Sequence, residues 1–330
     1  MQVVVTGGGG FVGSHLVDAL LERGEHVTCI DINEIIPPRL SHLSNRKNFC
    51  YVTADVRSKQ TLDAAIPKKC RKIFHLAAIV GVKNYCKDPL ATIDVNIGGL
   101  KNIIDIALQR DAKVIFTSTS EIYGKNPDVP WREDSDRLLG PTSIDRWTYS
   151  SSKAISEHIL VASHRIFKLP MVIIRPFNVY GPGQDPIFVI PAMLSRVLNG
   201  ERPLVYDSGE QTRCFTFISD FVDAIIKSSD NPLAEGEAFN IGSTHEITMT
   251  DLARKIIDIA QKSQQLEPEY INSGNIYDSY EDVSRRIPDV SKAQRILSWK
   301  ANTELEVGLR KTLEFFEAKF NRENKYRKLI

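Results

Sequence analysis

Cysteine is sparse and unpaired in this 330-residue chain. Cys29, Cys50, Cys70, Cys86 and Cys214 are scattered, odd in number and never spaced C-x-x-C. Such spacing offers neither a zinc site nor a disulfide framework, so no metal is expected, and a reducing, cytoplasmic setting is the simplest reading. An excess of either charge is missing too. Lys and Arg total 42 against 41 Asp and Glu, a formal charge of +1. Nothing therefore draws the chain as a whole to nucleic acid or to an anionic membrane. The basic stretch from Arg322 to Lys328 reads as a solvated tail. No apolar run reaches the ~18–20 residues of a membrane helix. A secretory signal is not expected either, because the N-terminus lacks a basic start and opens on a core strand. Repeats and low-complexity tracts are absent. With 42% hydrophobic residues, the composition suits a globular protein of one large or two modest domains.

Glycine is concentrated at the front. After Gln2-Val3-Val4-Val5-Thr6 come Gly7-Gly8-Gly9-Gly10, then Phe11-Val12-Gly13 and a helical stretch from Ser14. This reads as a buried strand, a tight turn and a helix N-terminus. Such a turn lets backbone N–H groups approach a pyrophosphate, whose charge the helix dipole favours. Two registers fit: Gly7, Gly10 and Gly13 as G-x-x-G-x-x-G, or Gly8, Gly10 and Gly13 as G-x-G-x-x-G. A glycine turn alone is weak evidence. Here, however, Val27-Thr28-Cys29-Ile30 reads as a second strand ending at Asp31. An acidic residue at that distance accepts hydrogen bonds from ribose hydroxyls and disfavours a 2′-phosphate. Together the two features point to NAD rather than NADP.

Strand-like runs at Val3–Thr6, His26–Ile30, Asn48–Thr53, Ile73–Ala77, Lys113–Thr117 and Val172–Arg175 alternate with helical patterns at Ser14–Arg23, Thr61–Ile66, Val95–Gln109 and Tyr149–Phe167. This alternation predicts an α/β fold with a doubly wound parallel Rossmann sheet. After Tyr180 the pattern changes. Loops surround a helix at Ile190–Leu198, strands are expected at Leu204–Tyr206, Arg213–Ile218 and Ala238–Ile241, and a helix at Phe221–Ser228. Helical patterns return at Met249–Gln261, Lys292–Ser298 and Leu305–Phe320. A smaller α/β substrate-binding domain is expected here, with residues 1–178 plus about 215–240 holding NAD and 179–214 with 241–330 holding the substrate. It would cap the crevice beyond the carboxyl ends of the strands.

Two segments carry chemistry. Tyr149 and Lys153 are spaced i, i+4 at the start of a helix and so share a face. A free tyrosine, with a pKa near ~10, is a poor base at neutral pH. A nearby ammonium and an oxidised nicotinamide favour the phenolate, which can then take a proton from a substrate hydroxyl. On its own, Y-x-x-x-K also occurs by chance on solvated helices. Upstream, Thr117-Ser118-Thr119-Ser120-Glu121-Ile122-Tyr123-Gly124 stands at the carboxyl end of an expected strand, where active-site residues collect. A strand-to-loop junction rich in small polar residues reads the same way.

The combination resembles the extended short-chain dehydrogenase/reductase family that modifies nucleotide sugars. The matching blocks run through nearly the whole chain. They are the glycine turn, Asp31, Asp55-Val56, His75-Leu76-Ala77-Ala78, Asn96, Ser118 to Gly124, Tyr149 with Lys153, Arg175-Pro176-Phe177-Asn178-Val179-Tyr180-Gly181-Pro182-Gly183, Gln211-Thr212-Arg213 and Arg285-Arg286-Ile287-Pro288-Asp289. The resemblance implies that NAD is held by Gly7, Gly10, Phe11, Val12, Gly13, Asp31, Asn33, Asp55, Val56, Leu76, Ala77, Ala78, Asn96, Thr117, Tyr149, Lys153 and Pro176. Thr119 would partner Tyr149, while Asn178 and Arg213 would hold the substrate diphosphate, a task suited to arginine's fixed donor fork. Asn178 also reads as a turn residue, and Arg213 or Arg286 as a surface ion-pair member. A homodimer is the family habit, through helices including Val95–Gln109 and Tyr149–Phe167.

Family members oxidise a sugar carbon to a ketone, exploit it, and return the hydride. Epimerases need only Thr119, Tyr149 and Lys153. Sugar 4,6-dehydratases carry S-T-D-E-x-Y-G, whereas Ser120 here replaces the acidic Asp. The UDP-glucuronate decarboxylases carry S-T-S-E-V-Y-G, which Ser118 to Gly124 matches except at Ile122. The decarboxylase of the 4-amino-arabinose lipid pathway is similar at Arg146-Trp147-Thr148-Tyr149 and along Tyr280-Glu281-Asp282-Val283 leading to Arg286. In that group the residues matching Ser120, Glu121 and Arg286 surround the reacting carboxylate. The expected function is therefore an NAD-dependent UDP-glucuronate decarboxylase acting through a 4-keto intermediate. A UDP-sugar 4-epimerase is the alternative, followed by a 4,6-dehydratase or a non-catalytic NAD sensor.

Overall fold

The computed structural model describes residues 1–262, 264–272 and 283–327. Its first half alternates strands and helices: β1 (Gln2–Thr6), α1 (Phe11–Glu22), β2 (His26–Asp31), β3 (Phe49–Thr53), α2 (Lys59–Ala65), β4 (Lys72–His75), α3 (Val82–Lys87), α4 (Pro89–Ile93), α5 (Gly99–Arg110), β5 (Lys113–Thr117), α6 (Arg146–Phe167) and β6 (Met171–Pro176). The second half has shorter strands: β7 (Val179–Tyr180), α7 (Val189–Leu198), β8 (Leu204–Tyr206), β9 (Thr212–Cys214), β10 (Thr216–Phe217), α8 (Ile218–Asp230), β11 (Ala238–Ile241), β12 (Glu246–Thr248), α9 (Met249–Ile259), β13 (Glu269–Ile271), β14 (Arg285–Arg286), α10 (Ser291–Leu297) and α11 (Leu305–Arg327).

Seven strands form one parallel sheet in the order β11-β6-β5-β4-β1-β2-β3. This is the doubly wound Rossmann sheet that the alternation predicts. The order reverses between β1 and β4, so a crevice opens beyond their carboxyl ends. The strands read as continuous apolar runs because both faces are covered. Val3 and Val5 point into the core that holds Leu16 and Val17 of α1, while Val4 between them points into the core of Leu100 and Ile103 from α5. The first core runs on into the second half through Leu194, Phe221, Ile256 and Leu309. A small third core of Ile122, Tyr123, Trp131, Trp147, Ala154, Phe177 and Val283 lies between the two halves.

Several expected boundaries need correction. The strand predicted over Ile73–Ala77 stops at His75. The stretch expected as one strand over Arg213–Ile218 is two. β9 pairs with β12 and β14, whereas β10 turns away to pair with β7. The helix expected from Tyr149 starts at Arg146, because the N–H groups of Trp147 and Thr148 already bond the carbonyls of Ile144 and Asp145 at 3.0 Å each. Tyr149 thus sits within the first turn rather than at its start. The helix expected over Val95–Gln109 opens with a π turn, Asp94–Gly98. The tail from Arg322 is helical through Arg327. Tyr280, Glu281 and Asp282 of the motif leading to Arg286, and Lys328 of the tail, lie outside the described residues. Among the described residues no helix is long and apolar enough to cross a membrane, and no group of three or more His, Cys, Asp or Glu could hold a metal ion.

Candidate active site

The cofactor end of the crevice is made of backbone. Gly7 has φ +69°, a left-handed conformation that side chains disfavour. A Cβ on Gly13 would lie 2.2 Å from the Gly7 carbonyl oxygen, so the turn closes on the helix only with glycine there. No side chain caps α1, and its first turn carries no acidic residue. That leaves a helix N-terminus open to an anion. Phe11 and Val12 open this helix. Asp31, at the end of β2, accepts from Gly9 N–H at 2.9 Å and from the Asn33 side chain at 2.8 Å. Leu76, Ala77 and Ala78 leave β4 directly beside the turn; Leu76 N–H bonds the Thr6 carbonyl at 3.1 Å. Asp55 is paired with Arg57, whose hydrogen bonds hold the carboxyl below its usual range. Val56 is buried against Gly99. An uncapped helix N-terminus, a close glycine turn and a carboxylate at the end of β2 fit NAD. Asn96 donates to Ser152 Oγ of α6 at 2.9 Å, and its own Oδ1 is buried with no partner among the described residues. Pro176 ends β6 in register with Ile241.

The reacting end is made of side chains. Lys153 is 2% exposed, and its Nζ donates to the Thr117 carbonyl at 2.8 Å. Among the described residues Thr117 Oγ1 is buried without a partner. Tyr149 stacks on Tyr85, with ring centroids 5.2 Å apart and planes at 6°. Burial pushes the Tyr149 phenol up, as does the charge of Glu121, while the nearby Thr119 hydroxyl works the other way. Burial pushes Lys153 down to about 7, against the charge of Glu157. The expectation that an ammonium depresses the phenol thus meets a stronger opposing effect of burial.

Thr119 also accepts from Glu121 N–H at 3.1 Å and so starts a tight 3-10 turn, Ser120–Tyr123. The turn buries Ser120 and directs Glu121 toward β14. Arg286 Nη1 lies 3.3 Å from Glu121 Oε1. This pair is largely buried: Glu121 Oε2 and Arg286 Nε have no hydrogen-bond partner among the described residues. Arg213 is the register partner of Arg286 across β9 and β14, and it too is buried. Asn178 stands at φ +38° and donates to the Cys214 carbonyl at 3.1 Å, fixing the bend from β6 toward β9. Thr119, Glu121 and Arg286 therefore form one connected group, with Arg213 beside Arg286 across the strands, Tyr149 close enough to feel the Glu121 charge, and Lys153 on the same face of α6 as Tyr149.

A family model described as GDP-mannose 4,6 dehydratase matches residues 4–312. The chain belongs to that family. It is the nucleotide-sugar branch of the extended short-chain dehydrogenases/reductases, whose members are NAD-dependent epimerases, dehydratases and decarboxylases. The chain is 36% identical over 96% of its length to the UDP-N-acetyl-alpha-D-glucosaminuronate decarboxylase of Bacillus cytotoxicus, covering 97% of that protein. To UDP-glucuronic acid decarboxylase 4 of Arabidopsis thaliana it is 33% identical over 94% of its length, covering 67% of that protein. The crystal structure of UDP-glucuronic acid 4-epimerase from Bacillus cereus, with UDP-glucuronic acid and NAD, superposes with a TM-score of 0.85. That match is 26% identical and covers 97% of this chain and all of the other.

Sequence reasoning did not single out Tyr85, which stacks on Tyr149 from α3. No spacing rule links residues so far apart. It also left Glu157 and Arg175 without a role. Glu157 was accessible as the next polar residue, one turn on, along the Tyr149–Lys153 face.

Proposed function

We propose that this chain is a UDP-glucuronate decarboxylase working through a 4-keto sugar. The observation that carries the reading is the Glu121–Arg286 pair beside Thr119 and Tyr149. Among the described residues it leaves a carboxylate oxygen and a guanidinium nitrogen buried and unpartnered. Such atoms are costly to leave unmet, and a polar group of the substrate docked there would meet them. Arginine is suited to a carboxylate or to the oxyanion that replaces it.

In this reading Tyr149, with Thr119 beside it, takes the proton of the C4 hydroxyl, and Lys153 steadies the phenolate. NAD, when bound, supplies an acceptor for the C4 hydride, gives that hydride back if the ketone is reduced, and in its oxidised form brings a positive charge that draws the phenol's pKa down. The resulting ketone is β to the carboxylate. The C5–C6 bond then breaks, carbon dioxide leaves, and the electron pair moves to the C4 oxygen as an enolate. Arg286 stabilises that charge, and Glu121 or Arg286 delivers the proton to C5. Reduction at C4 gives UDP-xylose; release before reduction gives a 4-keto pentose. Ser120 cannot supply the acid that a departing hydroxide needs, which disfavours dehydration.

Arg213 and Asn178 bind the diphosphate in this proposal. Residues 1–178 with about 215–240 carry NAD, and 179–214 with 241–330 carry the nucleotide sugar. Pairing of β11 with β6 supports that division. A homodimer through α5 and α6 and a cytoplasmic setting complete the reading. Ile155 and Val161 on α6 are 47% exposed, and all five cysteines are free.

A 4-epimerase is the second reading, favoured by the close superposition on the Bacillus cereus epimerase. The test is the mass of the nucleotide sugar after incubation with catalytic NAD and either UDP-glucuronate or UDP-N-acetylglucosaminuronate. Loss of carbon dioxide from UDP-glucuronate supports the proposal; loss from UDP-N-acetylglucosaminuronate alone keeps the decarboxylation and changes the sugar. A new isomer of unchanged mass makes the protein an epimerase.

A further inference from the structure

Glu121 and Arg286 meet across 165 residues, and one buried side chain is bonded toward both of their segments. Tyr123 ends the tight turn that carries Glu121 and is fully buried. Its hydroxyl accepts from Arg175 Nη1 at 2.7 Å and donates to Asn240 Oδ1 of β11 at 2.7 Å. The Asn240 side chain donates to the Trp131 carbonyl at 2.9 Å. Trp131 N–H donates in turn to the carbonyl of Ile287, the residue after Arg286, at 2.8 Å. Asn240 and Trp131 are fully buried as well. On the other side stands Arg175 of β6. Its Nε and Nη2 donate to the two oxygens of Glu157 on α6 at 3.0 and 2.6 Å, and its Nη1 also donates to the Glu133 carbonyl at 2.8 Å. Ser118 Oγ, just before the turn, donates to Glu157 Oε1. One guanidinium therefore holds both ends of the turn, Ser118 through Glu157 and Tyr123 directly.

We infer that Tyr123 is a positioning residue whose hydroxyl sets Glu121 against Arg286 for the loss of the carboxylate, on the reading of that pair as the carboxylate site. The ring alone would fill its place. It packs against Trp131 and Phe177 with centroids 5.0 and 6.3 Å away, and phenylalanine fits the same aromatic cluster. A hydroxyl taken out of water costs free energy unless it is bonded. This one is bonded on both sides, to the frame of the turn and toward the Arg286 strand. A satisfied buried network of this kind fixes geometry. The geometry most in need of fixing is the Glu121–Arg286 contact, which among the described residues is a single 3.3 Å bond. The oxidising groups have their own supports. Lys153 is held by the Thr117 carbonyl, and Thr119 follows Ser118, whose N–H bonds the Ile174 carbonyl at 2.7 Å. Oxidation at C4 and loss of the carboxylate thus depend on different anchors.

Tyr123→Phe keeps the ring and removes both hydroxyl bonds, while Arg175 keeps Glu157 and the Glu133 carbonyl. Wild type and variant are given UDP-glucuronate and NAD, and two products are followed separately: reduced cofactor by its near-ultraviolet absorbance, and carbon dioxide. Carbon dioxide release should fall ~10²-fold, the effect of a misplacement of about 1 Å, with the first hydride transfer within about threefold of wild type. Reduced cofactor then accumulates with a ketone that retains its carboxylate. A hydroxyl that only stabilises the fold would lower the urea midpoint and leave the ratio of the two products unmoved. Crystal structures of wild type and variant read the positions without substrate. The expected result is a Glu121–Arg286 contact kept in the wild type and lost in Tyr123→Phe. An unmoved product ratio, or a contact that superposes on the wild-type one, overturns the proposal. If Tyr123→Phe does not fold, Asn240→Leu cuts the same connection on its far side and is judged by the same two results. If the wild type releases no carbon dioxide from the uronate, the proposed function fails and the crystal structures alone decide the role of Tyr123.

Discussion

At the cofactor end of the crevice the working groups are backbone: the uncapped start of α1, the turn at Gly7, and the close approach of Gly13. At the proposed reacting end they are side chains from three segments distant in sequence, with Tyr149 and Lys153 on α6, Thr119 and Glu121 on a tight turn after β5, and Arg286 on β14. A backbone site tolerates changes in neighbouring side chains but no Cβ at its contact points. A side-chain site fails when one functional group is removed, even with the fold intact. The two ends should therefore break in different ways.

The largest expected effect is at Tyr149. Tyr149→Phe removes only the acid–base oxygen, so turnover should fall ~10²–10⁴-fold. NAD affinity, read by protein fluorescence quenching, should stay within about twofold of wild type, since general acid–base work is separate from binding. Arg286→Met comes next, with an expected loss of ~10²–10³-fold in kcat, again with NAD affinity kept. Equal loss of NAD binding in either variant would mean that the two ends are not separable.

Gly13→Val tests the other end. Its side chain meets the Gly7 carbonyl, so NAD binding should vanish and stability fall by ~1–3 kcal/mol. Urea unfolding and NAD titration would show both. Asp31→Ala should be milder, weakening NAD about tenfold and narrowing the preference over NADP, measured as the ratio of dissociation constants.

The smallest effect concerns His75, which lies beneath both ends. Its Nδ1 contacts Thr6 Oγ1 at 2.7 Å, and its Nε2 is buried without a partner among the described residues. The unfolded chain takes up a proton near pH 6.5, the native chain only at about 3. Acidification through that window therefore favours unfolding, and the neutral ring's stability is regained as the pH rises above 6.5. His75→Gln should flatten the fall of Tm between neutral pH and pH 4, measured by calorimetry.

The two ends also differed in legibility. The glycine spacing and Asp31 were readable because a pyrophosphate imposes close backbone approach at fixed intervals. The parallel sheet was readable from its apolar strands. The reacting end was readable from local spacing only at Tyr149 and Lys153. Glu121 and Arg286 were suggested by resemblance, and their contact across 165 residues is a product of the fold. Two-residue strands such as β7 and β14 leave no periodicity to detect. The Tyr85 stack and the Glu157–Arg175 pair depend on which helix faces pack together, which one sequence does not state.

Carboxyl-labelled UDP-glucuronate tests the central claim most directly. Wild-type protein with catalytic NAD should release labelled carbon dioxide, and Tyr149→Phe should release none, because the carboxylate leaves only after C4 is oxidised. Retention of the label by the wild type during sugar conversion, or its release by Tyr149→Phe at the wild-type rate, would contradict the account.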